Sequence, residues 1–324
     1  MDKLLKLKNN ELANIAKVCG MALAISATQK TELASAIAHN LTPGFVGDKQ
    51  IDLVAIDVGL VNFSFARLTL PHGIYSTPIL QQWYKMDLFA WSKVPRDFHP
   101  SSFAKLVNKV VFDLIYGSAA PDLVIVERQR FRTMGNKNVF EHILRTNVLE
   151  SMLYSSLETL QRVNPKKYCT QLVPSSPQTM VHYWAPPKTQ GPVTAKQSKE
   201  MRMKLVDHWL KLALVGSKSR FRLVDSAIFQ PSQLLKAKSD SRRLYDFMEI
   251  FNENNKHKIS VSESSAKAKG DDLADSLLYG LSWVDYERNK HELWDAIEAG
   301  NVSERLDEIT SRHFEEISSI LKPK

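Results

Sequence analysis

Pro121-Asp122-Leu123-Val124-Ile125-Val126-Glu127 is the stretch that decides the fold. Four aliphatic residues stand in a row between two acids, with no polar break. A strand apolar on both faces belongs in the middle of a sheet covered by helices. Upstream, Ile51-Asp52-Leu53-Val54-Ala55-Ile56-Asp57 reads as another apolar strand. Two alternating runs follow at 61–70 and 79–88, separated by a turn at Pro71-His72-Gly73, and the three together make a meander. Between the meander and the strand at 122–127, residues 101–116 carry Phe103, Leu106, Val110 and Leu114 at helical spacing. Downstream, 139–160 reads as a long helix, 168–173 as a fifth strand ended by Pro174 and Pro177, and 201–215 as a helix. Residues 271–288 form a late helix carrying Leu273, Leu277, Leu278, Leu281 and Trp283. The segments 185–200 and 255–269 are rich in Lys, Ser, Pro and Gln and read as mobile without a ligand.

Three meander strands, then strand–helix–strand, then a late helix is the order of a ribonuclease H-like domain. The expected class is therefore α/β: a mixed five-stranded sheet flanked by helices, over 51–324 with a C-terminal helical tail. Residues 1–40 read as a separate small helical unit. Leu4, Leu5, Leu12, Ile15, Ala16 and Val18 recur at helical spacing until Gly20, and a second helix buries Leu33, Ile37 and Ala38 behind a cap at Ser26 or Thr28. Helix, Gly, extended piece, then Thr28-Gln29-Lys30-Thr31-Glu32-Leu33 resembles a SAP-type DNA-binding motif, although Ala27 stands where that family often has Gly. The resemblance makes Lys30 a candidate DNA contact. Residues 41–50, starting Leu41-Thr42-Pro43-Gly44, read as a linker.

The chain has 324 residues and a formal net charge of +8 from 43 Lys and Arg against 35 Asp and Glu. Its basic balance argues against an acidic, metabolite-type enzyme surface and for a polyanionic partner. The charge is also segregated. Residues 128–147 carry Arg128, Arg130, Arg132, Lys137 and Arg145 against Glu141; 184–222 hold nine bases and two acids; 285–316 hold ten acids and four bases. A uniformly solvated surface does not separate the signs in this way. No apolar run is long enough to span a membrane. Two cysteines, Cys19 and Cys169, are too few for a disulfide framework or a Cys-rich zinc site and point to an intracellular chain.

The candidate chemistry lies in acids set by these elements. Asp57 closes the first strand, just before Gly59, and Glu127 closes the fourth. If those strands are parallel neighbours, both carboxylates emerge at one sheet edge, where open α/β sheets place ligands. Asp272 and Asp275, three apart, share a face of the late helix, as do Asp271 and Asp275, four apart. Converging carboxylates without bases repel, so something positive belongs between them. Hard oxygen ligands without a His/Cys cluster suit Mg²⁺ or Mn²⁺ rather than zinc. Two such ions per site can activate a water and stabilise a leaving 3′ oxygen in phosphodiester hydrolysis. Each acid also has a plainer reading as a turn cap, an N-cap or a partner of Arg128 or Arg130. Asp275 resists it, because Leu273, Ala274, Leu277 and Leu278 surround it in sequence.

Three pieces carry a closer resemblance: Ile56-Asp57-Val58-Gly59-Leu60-Val61-Asn62-Phe63, Val126-Glu127-Arg128-Gln129-Arg130-Phe131-Arg132-Thr133-Met134 and Lys269-Gly270-Asp271-Asp272-Leu273-Ala274-Asp275-Ser276. From about 51 to 283 the chain resembles the fungal mitochondrial Holliday-junction resolvases, a branch of the RuvC-like, ribonuclease H-like nucleases. The resemblance implies a mitochondrial homodimer that binds four-way junction DNA and nicks two opposed strands symmetrically with divalent metal and no small-molecule cofactor. Carried over, Asp57 and Glu127 match the first two metal ligands, and Asp272 and Asp275 match the D-x-x-D pair. The additional Asp271 leaves open which of the adjacent acids binds metal.

The basic stretches gain plausible tasks from this. Arg128, Arg130 and Arg132 alternate just after the strand bearing Glu127; in an extended segment they present guanidiniums to one side, next to a scissile phosphate, with ion pairing to the acidic C-terminal stretch as the alternative. Lys137 belongs to the same stretch. Lys188, Lys196 and Lys199 form a candidate phosphate clamp in a loop that orders on DNA. Phe131 and Met134 are candidate wedges at the crossover, with core packing as their alternative. Phe140, Ile143, Leu144, Val148, Met152 and Leu153 make a face broad enough for both the sheet and a second subunit. One rival is a sugar-kinase or actin-like ATPase, which needs a second Gly-rich phosphate turn that is not found among the 12 glycines. The other is a DNA-architectural protein that binds junctions without cutting, which has no use for the full acid set.

Overall fold

The computed structural model describes residues 2–21, 29–129, 140–186, 194–224, 239–254 and 269–321. Strands β1 (Ile51–Asp57), β2 (Phe63–Leu70) and β3 (Ile79–Met86) form the expected meander, β4 is Leu123–Glu127 and β5 is Gln171–Ser175. A sixth strand, β6 (Arg222–Leu223), extends the sheet beyond the expected five and pairs parallel with β3. At two residues it is too short to leave a period in the sequence. The order is β5-β4-β1-β2-β3-β6, and among these strands β4 alone pairs with both β1 and β5, parallel to each. The unbroken apolar run thus lies inside the sheet. β5 begins three residues later than expected and includes Pro174, which an edge strand tolerates.

Helices cover both faces. On one side lie α4 (Leu88–Ser92), α5 (Pro100–Lys109), a π-helical turn at Val110–Ile115, and α6 (Glu141–Val163). They bury Phe103, Leu106, Val111, Leu149 and Leu153 against Val54, Ile56, Phe65, Val124 and Val126. The helix expected over 101–116 is therefore α-helical only to Lys109 and widens beyond it. On the other side lie α7 (Pro177–Tyr183), α8 (Ala195–Leu214), α9 (Asp240–Asn254) and α10 (Asp271–Ala299), against Leu53, Ala55, Leu68, Trp83, Leu123 and Ile125. The alternating sides of β1 and β4 fill the two cores separately, as the period of two requires.

α8 corrects the reading of 185–200 as a mobile basic loop. Thr194 and Gln197 form a reciprocal capping box that starts the helix at Ala195, so Lys196 and Lys199 are helical. Lys188 lies outside the described residues. The N-terminal unit holds α1 (Asp2–Leu5), α2 (Asn9–Val18) and α3 (Lys30–Asn40). It buries Leu12, Ile15, Val18 and Ile37 in one cluster with Leu293 and Ala296 of α10 and Val302, Leu306 and Ile309 of α11 (Val302–Leu321). The stretch expected as the linker is also tied down: Gly44 and Phe45 donate backbone N–H groups to Glu287, and Phe45 meets Trp283 edge-on at 5.3 Å. Residues 22–28, where the SAP-like extension was expected, lie outside the described residues, and α3 begins after Gln29 rather than behind a cap at Ser26 or Thr28.

Candidate active site

One residue from each of four adjoining strands makes a row across the sheet. β1 and β2 pair Asp57 with Ser64, β2 and β3 pair Ser64 with Lys85, and β1 and β4 run in parallel with Ile56 opposite Val126, which brings Asp57 level with Glu127. All four side chains fall on the side that α10 covers. Gly59 makes the turn out of β1 possible, because a Cβ there would stand 2.9 Å from the carbonyl oxygen of Asn62. Gly280 does the same for the helix, which lies so close to the sheet that a Cβ at this position would stand 2.9 Å from Cδ1 of Leu68.

The first turns of α10 complete the site. Ser276 and Ser64 share a hydrogen bond of 2.9 Å between their hydroxyls, which pins helix to sheet. Around that pin, Asp57 feels the negative charge of Glu127, Asp275 and Asp272, so the four acids lie within electrostatic reach of one another. Burial first, then a hydrogen bond and repulsion from Glu127, holds the Asp57 carboxyl well above the usual carboxylate range. Burial, then the charges of Glu127, Asp57 and Asp275, pushes the hydroxyl of Tyr279, one turn after Asp275, well above the ordinary tyrosine value. Gln129 braces the two strand ends, donating through Nε2 to Glu127 (3.1 Å) and to the Val58 carbonyl (3.4 Å), while its own N–H donates to Glu150 (3.0 Å).

Bases that the sequence did not single out meet the late-helix acids. Lys85 Nζ lies 2.6 Å from Asp272 and donates to the Lys269 carbonyl at 2.9 Å, with only 1% of its side chain exposed. Arg202 grips both oxygens of Asp275, at 2.7 and 3.0 Å. Lys199 donates to Asp271 at 2.9 Å. Burial raises Asp272 and Asp275 despite these partners; at Asp271 burial is again the largest influence, but Lys199, Lys85 and a backbone hydrogen bond together overcome it and lower the carboxyl. Lys85 left only a weak signal, a charge two residues after Trp83 near the end of a strand that also carries Gln81 and Gln82. Arg202 was one of nine bases in its stretch, and nothing in the sequence sets it apart.

The donors suit a hard divalent cation in kind. All are carboxylate oxygens, and Asp271 Oδ1 is buried without a hydrogen-bond partner. Among the described residues, however, no three Asp, Glu, His or Cys side chains close into a ready cage. Lys85 and Arg202 occupy the Asp272 and Asp275 carboxylates instead.

Of the expected DNA contacts, Arg128 is exposed beside Glu127, with its charge acting on Glu150. Lys196 stands 3.9 Å from Glu200 on the outer face of α8, and Lys30 opens α3. Arg130, Arg132, Lys137, Phe131 and Met134 lie outside the described residues.

A family model described as mitochondrial resolvase Ydc2 / RNA splicing MRS1 matches residues 53–293. The chain belongs to this family. It is 28% identical over 270 residues to the mitochondrial cruciform cutting endonuclease 1 of Saccharomyces cerevisiae, across 78% of this chain and 73% of that protein. It is 30% identical over 166 residues to the Schizosaccharomyces pombe protein of the same name, across 48% of this chain and 62% of that one. The crystal structure of the yeast mitochondrial Holliday junction resolvase Ydc2 superposes with a TM-score of 0.58, covering 90% of this chain and 98% of that one at 24% identity. That likeness is one of fold. The resolvase family match spans β1, β4 and the first turns of α10, and so takes in all five acids of the site.

Proposed function

We propose that the chain is a structure-selective endonuclease that resolves four-way DNA junctions by paired, symmetric nicking in mitochondria. The observation that carries this is the meeting of Asp57, Glu127, Asp272 and Asp275 at one sheet edge in a member of this family. The relatives, a mitochondrial cruciform cutting endonuclease and a mitochondrial Holliday junction resolvase by name, support the substrate class and the compartment.

In this reading Asp57 and Glu127 hold divalent metal from the sheet, and Asp272 and Asp275 hold it from the helix, with Asp271 as a further donor. Mg²⁺ or Mn²⁺, two ions per site, would supply an activated water and stabilise the leaving 3′ oxygen. The chain's own residues orient the rest. Gln129 fixes the Glu127 carboxylate, and Ser64–Ser276 fixes the height of α10 above the sheet. Arg128, Lys196, Lys199 and Lys30 take phosphates, together with Arg130, Arg132, Lys137 and Lys188, while Phe131 and Met134 serve as wedges at the crossover. The N-terminal helices act as a SAP-like DNA-binding unit. Two copies join into a homodimer across α6, where Phe140 and Leu144 leave 60% and 42% of their surface exposed, so that two sites face a pseudo-symmetric junction.

The test incubates the chain with a mobile four-way junction, a linear duplex and a single strand, with and without Mg²⁺. Paired nicks in the junction alone, and only with metal, are the expected result. Asp57→Asn should abolish nicking and keep junction binding, since binding rests on bases and phosphates. Nicking by that variant at the wild-type rate would overturn the assignment of the acids. Metal-independent binding without any nicking would favour the architectural alternative.

A further inference from the structure

Each acid at the start of α10 has a base of its own, and the three bases are not alike. Lys85 comes from the sheet and is sealed, its ammonium shared between Asp272 and the Lys269 carbonyl. Lys199 and Arg202 come from α8. Three residues apart, they share one face of that helix, and they meet Asp271 and Asp275, four apart on one face of α10. Lys199 keeps 51% of its side chain exposed, and Arg202 braces its third guanidinium nitrogen on Ser198 Oγ at 2.8 Å. The start of α8 is thus clamped to the start of α10 by two charge pairs, at the edge where a DNA phosphate and divalent metal would meet.

These pairs set up an exchange. Metal arriving alone must take Asp275 from a guanidinium that fills both of its oxygens, and must leave that guanidinium buried and unpaired. Phosphate arriving alone must draw Arg202 away and leave Asp275 among like charges. Arriving together, phosphate pairs with the bases and metal with the acids, so no buried charge is stranded. We infer that Lys199 and Arg202 are exchangeable counter-ions through which DNA binding and divalent-metal loading drive each other, with Arg202 the positioning residue for Asp275 in the free chain and a phosphate contact in the complex. Lys85, sealed under α10, takes no part in the exchange. The inference rests on the endonuclease reading. The coupling is reciprocal: whatever factor DNA adds to metal affinity, metal adds to DNA affinity.

The experiment titrates Mn²⁺ alone into the DNA-free full chain and follows free Mn²⁺ by electron paramagnetic resonance. It also measures junction affinity with and without Ca²⁺. In the wild type, Ca²⁺ should tighten junction binding by on the order of tenfold, within the usual range for coupled sites. Arg202→Gln should bind Mn²⁺ about tenfold more tightly than wild type without DNA, and Ca²⁺ should then alter its junction affinity little. Metal affinity equal to or below wild type in this variant, with its melting curve preserved, overturns the exchange. Arg202→Lys keeps the charge without the two-pronged grip and covers the case in which Arg202→Gln does not fold. It too should bind Mn²⁺ more tightly than wild type, and failure to do so overturns the inference. Wild-type nicking is scored on the same preparations. Absent nicking refutes the endonuclease reading, whereas intact nicking with unaltered metal affinity refutes the exchange alone.

Discussion

Replacing Gly280 by alanine tests the packing that assembles the site. A Cβ at this position would stand 2.9 Å from Leu68 Cδ1, 3.3 Å from Leu53 Cδ1 and 3.5 Å from Ala55 Cβ, and all three neighbours are fully buried. Two effects compete. Removing glycine from a helix interior favours folding by about 1 kcal/mol. Forcing a methyl into a filled layer opposes it by about 1–3 kcal/mol. The balance is a loss of roughly 0–2 kcal/mol, in the upper half of that range because the Leu68 contact falls inside van der Waals distance. Gly280→Val adds two more methyls and should lose on the order of 3 kcal/mol. Gly280 is five residues beyond Asp275, so a helix lifted to relieve the clash carries Asp272 and Asp275 away from Asp57. Nicking should therefore fall by more than the unfolded fraction explains. Urea denaturation followed by tryptophan fluorescence gives the stability, and single-turnover nicking of a junction at saturating protein gives the activity. If Gly280→Ala instead gains the full helix benefit of about 1 kcal/mol, α10 does not lie against β1 and β2 at this depth.

Other expected outcomes follow from the same contacts. Asp57 has its pKa raised in the folded chain by burial and Glu127, so its carboxylate opposes folding once the pH exceeds the ordinary aspartate value of about 3.9; melting in EDTA should show Asp57→Asn more stable than wild type at pH 7, by a margin that shrinks towards pH 3, and a variant less stable at pH 7 would reverse the sign. Arg67 is buried, binding Asp52 and the Ile115 and Ala119 carbonyls, so Arg67→Met should lose about 3–5 kcal/mol by stranding Asp52, and a loss under 1 kcal/mol in urea melts would count against that pair. Lys85→Met strands Asp272 and should cut the single-turnover nicking rate while leaving junction affinity close to wild type; Lys85→Arg should not rescue it, because the site gives the side chain almost no open space, and a full rescue would show that charge alone suffices.

The sheet was legible because its strands are strongly marked. β1 is the largely apolar run that starts after Gln50 and closes at Asp57, and β4 is the unbroken run after Asp122. Their places at the ends of two strands expected to be parallel neighbours put Asp57 and Glu127 at one edge, and β1 and β4 are parallel neighbours; helical spacing put Asp272 and Asp275 on one face. Elements that were misread lack such a signature. β6 is two residues long, and the widening of the helix after Lys109 into a π turn leaves the apolar spacing nearly unchanged. The start of α8 lies in a Lys/Ser/Gln segment whose composition suggests disorder, and a capping box overrides it.

By itself, then, the chain's linear order determined which acids exist, which element each ends or begins, and that two of them share a helix face, because those properties depend on local period and spacing. Only the tertiary structure decided what stands against each acid. Lys85 reaches Asp272 from the third strand of the meander, and Arg202 reaches Asp275 across 73 positions; no local pattern specifies such pairings. They follow from the depth at which α10 settles on the sheet beside α8. There, burial makes an unpaired charge so unfavourable that Asp271, Asp272 and Asp275 have each drawn a base.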